Sequence, residues 1–265
     1  MGHDYDRVTD LNHTNPTRRR GALVTHPAQP WTPTVHAFLR HLEAEGFEAA
    51  PRVAGAGFDE AGDETLTWLE GTIFARSVWP DAERSMHEVG ALLRRLHQVS
   101  RTFTPPPDAR WMPWTLHTDA AEALISHGNI APWHVVFHQD RPTGLIGWEY
   151  TGPVDPMDEV AVTAFYCAQL FDDDVAEQIG LPDAAARAQW FAAFLDGYGL
   201  PRHRRTDLID RILYFVIKDN GWYSRVQGFT PHHTHTEGLW TLAWQSRAAL
   251  WTLEHRELLT RTATR

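Results

Sequence analysis

Lysine is almost missing from this chain: Lys218 is the only one in 265 residues, and every other basic side chain is arginine. Cysteine is equally scarce. Cys167 stands alone, which excludes an intrachain disulfide and a cysteine-based metal cluster. No apolar run approaches the length of a membrane span, and Met1 to Asp6 carry neither a basic leader nor an apolar signal core, so a cytoplasmic protein without membrane contact is expected. A basic run is absent too. With 34 acidic against 24 basic residues and a formal charge of −10, the chain lacks the electrostatic footprint of a nucleic-acid binder and suits a neutral or cationic small ligand better.

What is present divides the chain into a small strand-rich part and a larger helical part. Residues 1–20 are polar and rich in turn formers, and read as a loose N-terminal segment. Residues 21–71 hold a short strand at 21–26, an amphipathic helix from Thr32 to Gly46 and a hairpin formed by 51–58 and 64–69. Pro33 suits the first turn of that helix, Val35, Phe38, Leu39 and Leu42 supply its apolar stripe, and Gly46 ends it. Residues 72–265 open with a helix over 81–97. The proline-bearing stretch 103–113 then reads as a surface connection, and helices follow at 161–171, 182–198, 204–221 and 238–259.

Between these helices lies the stretch that carries the chemistry: His127-Gly128-Asn129, then His134-Val135-Val136-Phe137, Leu145-Ile146-Gly147-Trp148-Glu149-Tyr150, and Gly152-Pro153-Val154-Asp155-Pro156. Together with Trp68-Leu69-Glu70-Gly71 as an inter-lobe linker, this ordered set resembles the aminoglycoside phosphotransferase family. The resemblance implies an α+β, bilobal, protein-kinase-like fold with a small strand-rich N-lobe and a larger, mainly helical C-lobe. It also implies an aspartate at position 129 to orient the acceptor hydroxyl, an asparagine at 134 to hold magnesium, and a second aspartate at 147 as the main metal ligand. Phosphoryl transfer depends on that metal and on positioning. Here the three positions hold Asn129, His134 and Gly147. An amide is no carboxylate base, an imidazole is a poor ligand for a hard cation, and glycine supplies no side chain. The family's glycine-rich hairpin and strand lysine are also missing ahead of the first helix, where Arg18-Arg19-Arg20 reads either as a phosphate contact or as a solvated basic cluster. No cofactor is therefore expected, with ATP and magnesium poorly served.

The candidate catalytic residues are Asn129, His134 and Glu149. His134 faces the implied metal position and titrates near neutrality when unperturbed, and Glu149 is either a surviving carboxylate in the cleft or the acidic residue common at that place in the family. Candidate ligand contacts are Trp68, Trp133, Gly147, Trp148 and Asp155, with the tryptophans lining the cleft in aromatic surface; no metal ligand is assigned. Asp158 is read as a helix cap and His127 as a buried structural histidine. The histidines His232, His233 and His235 form either a metal site or, as their spacing favours, a surface loop. The expected function is a pseudo-phosphotransferase that binds a small molecule between its lobes, with an ATP-independent step of a bacterial biosynthetic pathway as its reaction. The alternatives are an active phosphotransferase with relocated metal ligands, and a scaffold or regulator, which would show a closed cleft and an exposed apolar patch elsewhere.

Overall fold

The computed structural model describes residues 17–230, 232, 236 and 238–265. Its N-terminal part is a four-stranded antiparallel sheet ordered β1-β2-β4-β3, with β1 at Arg18–Arg20, β2 at Leu23–His26, β3 at Val53–Phe58 and β4 at Glu64–Thr67. Arg18 to Arg20 are thus strand rather than loose chain, because Gly21, at φ +61°, lets the backbone reverse within two residues and pair Arg20 with Leu23. Residues 1–16 lie outside the described residues. Helix α1, Thr32–Ala44, covers the sheet with Val35, Phe38, Leu39 and Leu42 buried, and the chain leaves it through Gly46 at φ +69°. Sheet and helix converge on Glu64, whose carboxylate oxygens each meet one imidazole: His26 at 2.6 Å and His36 at 2.7 Å.

The linker after β4 runs straight onto the larger part, where Thr72 and Phe137 exchange two backbone hydrogen bonds of 2.8 Å. The motif region folds as two antiparallel ribbons: β5 (Leu124–Ser126) with β8 (Gly152–Val154), and β6 (Val135–His138) with β7 (Arg141–Leu145). Around them pack α2 (Ala82–Ser100), α3 (Pro156–Cys167), α4 (Asp173–Gln178), α5 (Ala184–Tyr198), α6 (Leu208–Val226), α7 (Leu239–Glu254) and α8 (Arg256–Thr264). Helices α2 and α5 meet backbone to backbone. A Cβ on Gly90 would sit 2.1 Å from the Phe194 carbonyl oxygen, and one on Gly197 would sit 1.9 Å from that of His87. Fully buried Phe165, Phe191 and Phe194 fill the core beside this contact; truncating any one to alanine costs about 3–5 kcal/mol.

Three expectations shift. The helix expected at 161–171 begins at Pro156, because Asp155, not Asp158, caps it by accepting the Met157 N–H at 2.7 Å. Asp158 instead pairs with Arg211 at 2.5 Å. The helix expected over 238–259 is two, parted at His255, whose ring stacks on Trp251 and bonds its carbonyl at 2.9 Å. Of the histidine cluster, His233 and His235 lie outside the described residues.

Candidate functional site

The site begins with the turn between β5 and β6, which is fixed from several sides. Gly128 adopts φ +77°, and a Cβ there would lie 2.5 Å from the Tyr150 carbonyl oxygen, so only glycine fits. Its N–H donates to Glu159 at 2.7 Å and its carbonyl accepts from the Trp114 indole at 2.8 Å. Glu159, buried, reaches His97 at 2.7 Å with its other oxygen, and His97 in turn meets the Tyr198 hydroxyl at 2.9 Å. Burial by itself would raise the Glu159 carboxyl, but the hydrogen bond and charge of His97, with Ser126 and Gly128, outweigh it and hold the group below its ordinary range. His127 is buried beside this turn, donating from Nε2 to the Ile146 carbonyl at 2.8 Å and accepting the Asn129 N–H at Nδ1. Burial, reinforced by neighbouring His134, pulls His127 down to about 3, which makes it a neutral structural ring as expected.

His134 stands at the centre. Its Nδ1 lies 2.6 Å from the Asn129 carbonyl oxygen, an acceptor only, so Nδ1 carries the proton and Nε2 keeps a lone pair. That lone pair faces Gly147. Gly147 sits at φ +79°, and a Cβ added to it would fall 2.5 Å from both Nε2 and Cδ2 of His134. The imidazole therefore occupies the volume a side chain at 147 would need. Burial lowers the His134 pKa, opposed by the charge of half-buried Glu149 two residues beyond Gly147. The structure thus brings together Asn129, His134, Gly147 and Glu149, with Trp133 half-buried beside them, 6.1 Å from His134 and 5.4 Å from Tyr166 between ring centroids.

The other candidates are elsewhere. Trp148 is no cleft wall: it is buried, packs at a tilt against His127 and Phe38 of α1, and donates to the Leu145 carbonyl at 2.8 Å, so it joins the two parts of the core. Trp68 lies on the linker under the Arg19 guanidinium, 4.3 Å from the ring centroid, while Arg19 also pairs with Glu70. Arg18 pairs with Asp63 at 3.5 Å. The arginine strand is thereby engaged with the protein itself. Asp155 is occupied as the α3 cap and faces Arg211 at 3.4 Å.

Two parts of the site escaped the sequence reading. Aromatic rings run on from His134 through Tyr150, Trp114 and Trp222, and from Trp133 through Tyr166 to Phe215, with successive centroids 4.8–6.1 Å apart. At their base Asp219 of α6 is buried, accepting from Thr115 at 2.8 Å and from Gln245 at 2.6 Å. Burial raises Asp219 to about 6, against the pull of these two neutral donors. Its signal was legible: Asp219 interrupts the apolar stripe Ile212, Phe215, Val216 and Tyr223. These rings form a packed aromatic wall in which only Trp133 and Trp222 are half-exposed, with one buried carboxyl at its base.

Comparison with known proteins agrees with this architecture. Residues 17–125 match the phosphotransferase enzyme family. The trifolitoxin immunity protein of Rhizobium leguminosarum bv. trifolii is 40% identical over 242 residues, covering 91% of this chain and 92% of that protein. Among solved structures, a choline/ethanolamine kinase family protein from Mesorhizobium loti superimposes with a TM-score of 0.53 at 14% identity, covering 95% of this chain and 90% of its own. An aminoglycoside phosphotransferase from Alicyclobacillus acidocaldarius gives 0.54 at 13% identity, with 94% and 92% covered. The chain belongs, with its homologue the trifolitoxin immunity protein, to the phosphotransferase enzyme family, and it has the kinase-like fold of the choline kinase and aminoglycoside phosphotransferase structures.

Proposed function

We propose that this protein is a pseudo-phosphotransferase that protects a cell from a toxin by binding a small molecule against the aromatic wall beside His134, without transferring phosphate. The observation that carries the reading is the His134 ring in the side-chain volume of position 147. A hard divalent cation needs several oxygen donors, whereas this site offers an imidazole, an amide, a residue without a side chain and the single carboxylate of Glu149. Magnesium does not fit such a donor set, and no step is routed through it. Among the described residues, no group of three or more histidine, cysteine, aspartate or glutamate side chains is arranged to hold a metal ion. The homologue's name supports protection as the role, and supports it better than a biosynthetic step. Half-buried Trp133 presents an aromatic face beside His134, and buried Tyr166, Tyr150 and Trp114 pack behind that face and behind His134.

Two measurements test this. ATP with magnesium is expected to leave the unfolding temperature unchanged and to yield no ADP, since a ligand that binds only the folded state would raise it by mass action. Expressing the chain in a trifolitoxin-sensitive strain is expected to protect it, with protection reduced by Trp133→Ala. Steady ADP production with a small alcohol or amine acceptor would overturn the reading in favour of an active phosphotransferase.

A further inference from the structure

The outer face of α6 and α7 is apolar where a surface helix pair should be polar. Of the large hydrophobic side chains exposed among the described residues, Tyr214 (65%), Ile217 (67%), Leu250 (53%) and Leu253 (52%) are the most open together with Val226 of the same helix. They are not scattered. On α6, Tyr214, Ile217, Gly221 and Ser224 follow one another at spacings of three, four and three residues, and all but half-buried Ser224 are exposed. On α7, Leu239, Ala243, Ser246, Leu250 and Leu253 repeat at four, three, four and three, all exposed. This is the spacing with which a helix presents a seam to another helix.

Between the two seams lies a groove of about 500 Å³, floored by small residues. Gly221 has nothing within 4 Å of the place its Cβ would take, and Ser224, Ser246 and Ala249 continue the floor. Asn220 spans the helices, donating to Ser246 at 2.9 Å and to the Leu242 carbonyl at 3.3 Å, while its own Oδ1 is buried and finds no donor. The far rim of α6 is basic. Lys218 and Arg225, seven residues apart and so on one side of the helix, are exposed and form no salt bridge with a described residue, on a chain of net charge −10. Two cations on an otherwise acidic protein are too few to hold an anionic membrane, and they repel nothing but another cation.

We propose that the α6–α7 groove is a docking site for an amphipathic α-helix of a partner protein, one with an apolar stripe at heptad spacing and acidic residues along the flank that meets Lys218 and Arg225. The bound helix completes a three-helix packing: Ile217 and Leu250 enter its seam, and the charged pairs set its orientation. An acidic flank is required because the rim it meets is the basic one.

The test uses the full chain and two labelled, amidated peptides of about three heptads, with leucine on the seam and either glutamate or lysine on the flanks. Fluorescence anisotropy is expected to show the glutamate peptide binding with a Kd below about 100 µM and the lysine peptide roughly tenfold more weakly. Ile217→Glu with Leu250→Glu should abolish binding, and Lys218→Glu with Arg225→Glu should invert the preference. Both changes are made at side chains already in solvent, so the unfolding temperature should not fall. Gly221→Leu, which fills the groove at a helical position, gives the same loss of binding by a second route. Equal binding of the two peptides, or binding indifferent to these substitutions, overturns the proposal. So does a wild-type dimer in light scattering that Ile217→Glu converts to monomer, which would make a second copy the occupant. Flotation with phosphatidylglycerol vesicles in the absence of peptide binding would assign the face to a membrane instead.

Discussion

Glu159 and Asp219 are both buried, and their surroundings treat them oppositely. Glu159, under the turn that carries Asn129, is met by an imidazole and a backbone N–H, and stays charged below its ordinary range. Asp219, under the aromatic wall, is met by a hydroxyl and a carboxamide, and burial lifts it to about 6. Burial is common to both; what differs is that Glu159 has an imidazole partner and Asp219 only a hydroxyl and a carboxamide. The loop region is thus braced by an imidazole and a backbone N–H on one carboxylate, and the aromatic region rests on a carboxyl that takes up its proton as the pH falls toward 6.

The comparison can be broken most severely at the first acid. Glu159→Gln leaves His97 without its anion and weakens the hold on Gly128; chemical denaturation should show a loss of about 3–5 kcal/mol. Next comes the packed pair above it. Gly147→Ala forces a Cβ into the His134 ring at a positive φ, an expected cost of about 2–4 kcal/mol, and adding His134→Ala should recover roughly 1–2 kcal/mol of it in a double-mutant cycle.

The second acid should respond in the other direction. A carboxyl whose folded pKa is raised from 3.8 to about 6 favours the folded state below the unfolded value and loses that contribution as pH climbs through the folded one. Asp219→Asn removes the penalty, so at pH 7.5 the variant should be more stable than the wild type by on the order of 1–3 kcal/mol, with the gain gone near pH 4. The unpartnered Oε1 of Gln245 gives the new amide an acceptor once Gln245 flips. Glu159, with a lowered folded pKa, acts oppositely: its stabilisation is present above the unfolded value and fades only as the solution is acidified through the folded one. The smallest effect is on His134 itself. Burial should hold its ring neutral to a lower pH than a free imidazole, which a ¹⁵N NMR titration reads directly, and a ring that charges above the ordinary value of 6.5 would contradict the burial described.

How much of this was written locally in the chain follows from the range of each contact. Helix α1 was legible because Pro33, the stripe Val35 to Leu42 and Gly46 lie within one short segment. The cluster of Asn129 and His134 was legible for the same reason, five residues apart. Glu159 was overlooked because its partner His97 lies 62 residues away, and Thr115 and Asp219 are 104 apart. Trp148 shows the converse failure. Its neighbours in sequence suggested a cleft, but its ring turns inward onto Phe38, a contact only the assembled lobes create. The break at His255 carries no glycine or proline to announce it; a side chain bonded back to the Trp251 carbonyl makes it.

The contact between His134 and Gly147 also constrains how this loop can change over generations. Any residue larger than glycine at 147 meets the imidazole first, so substitutions here are admissible in one order only, with position 134 moving ahead of 147. A lineage carrying this pair reaches a larger residue at 147 only through an intermediate that is worse than either end. Descendants can therefore diversify at the exposed helical surface far more readily than they can place a side chain at 147.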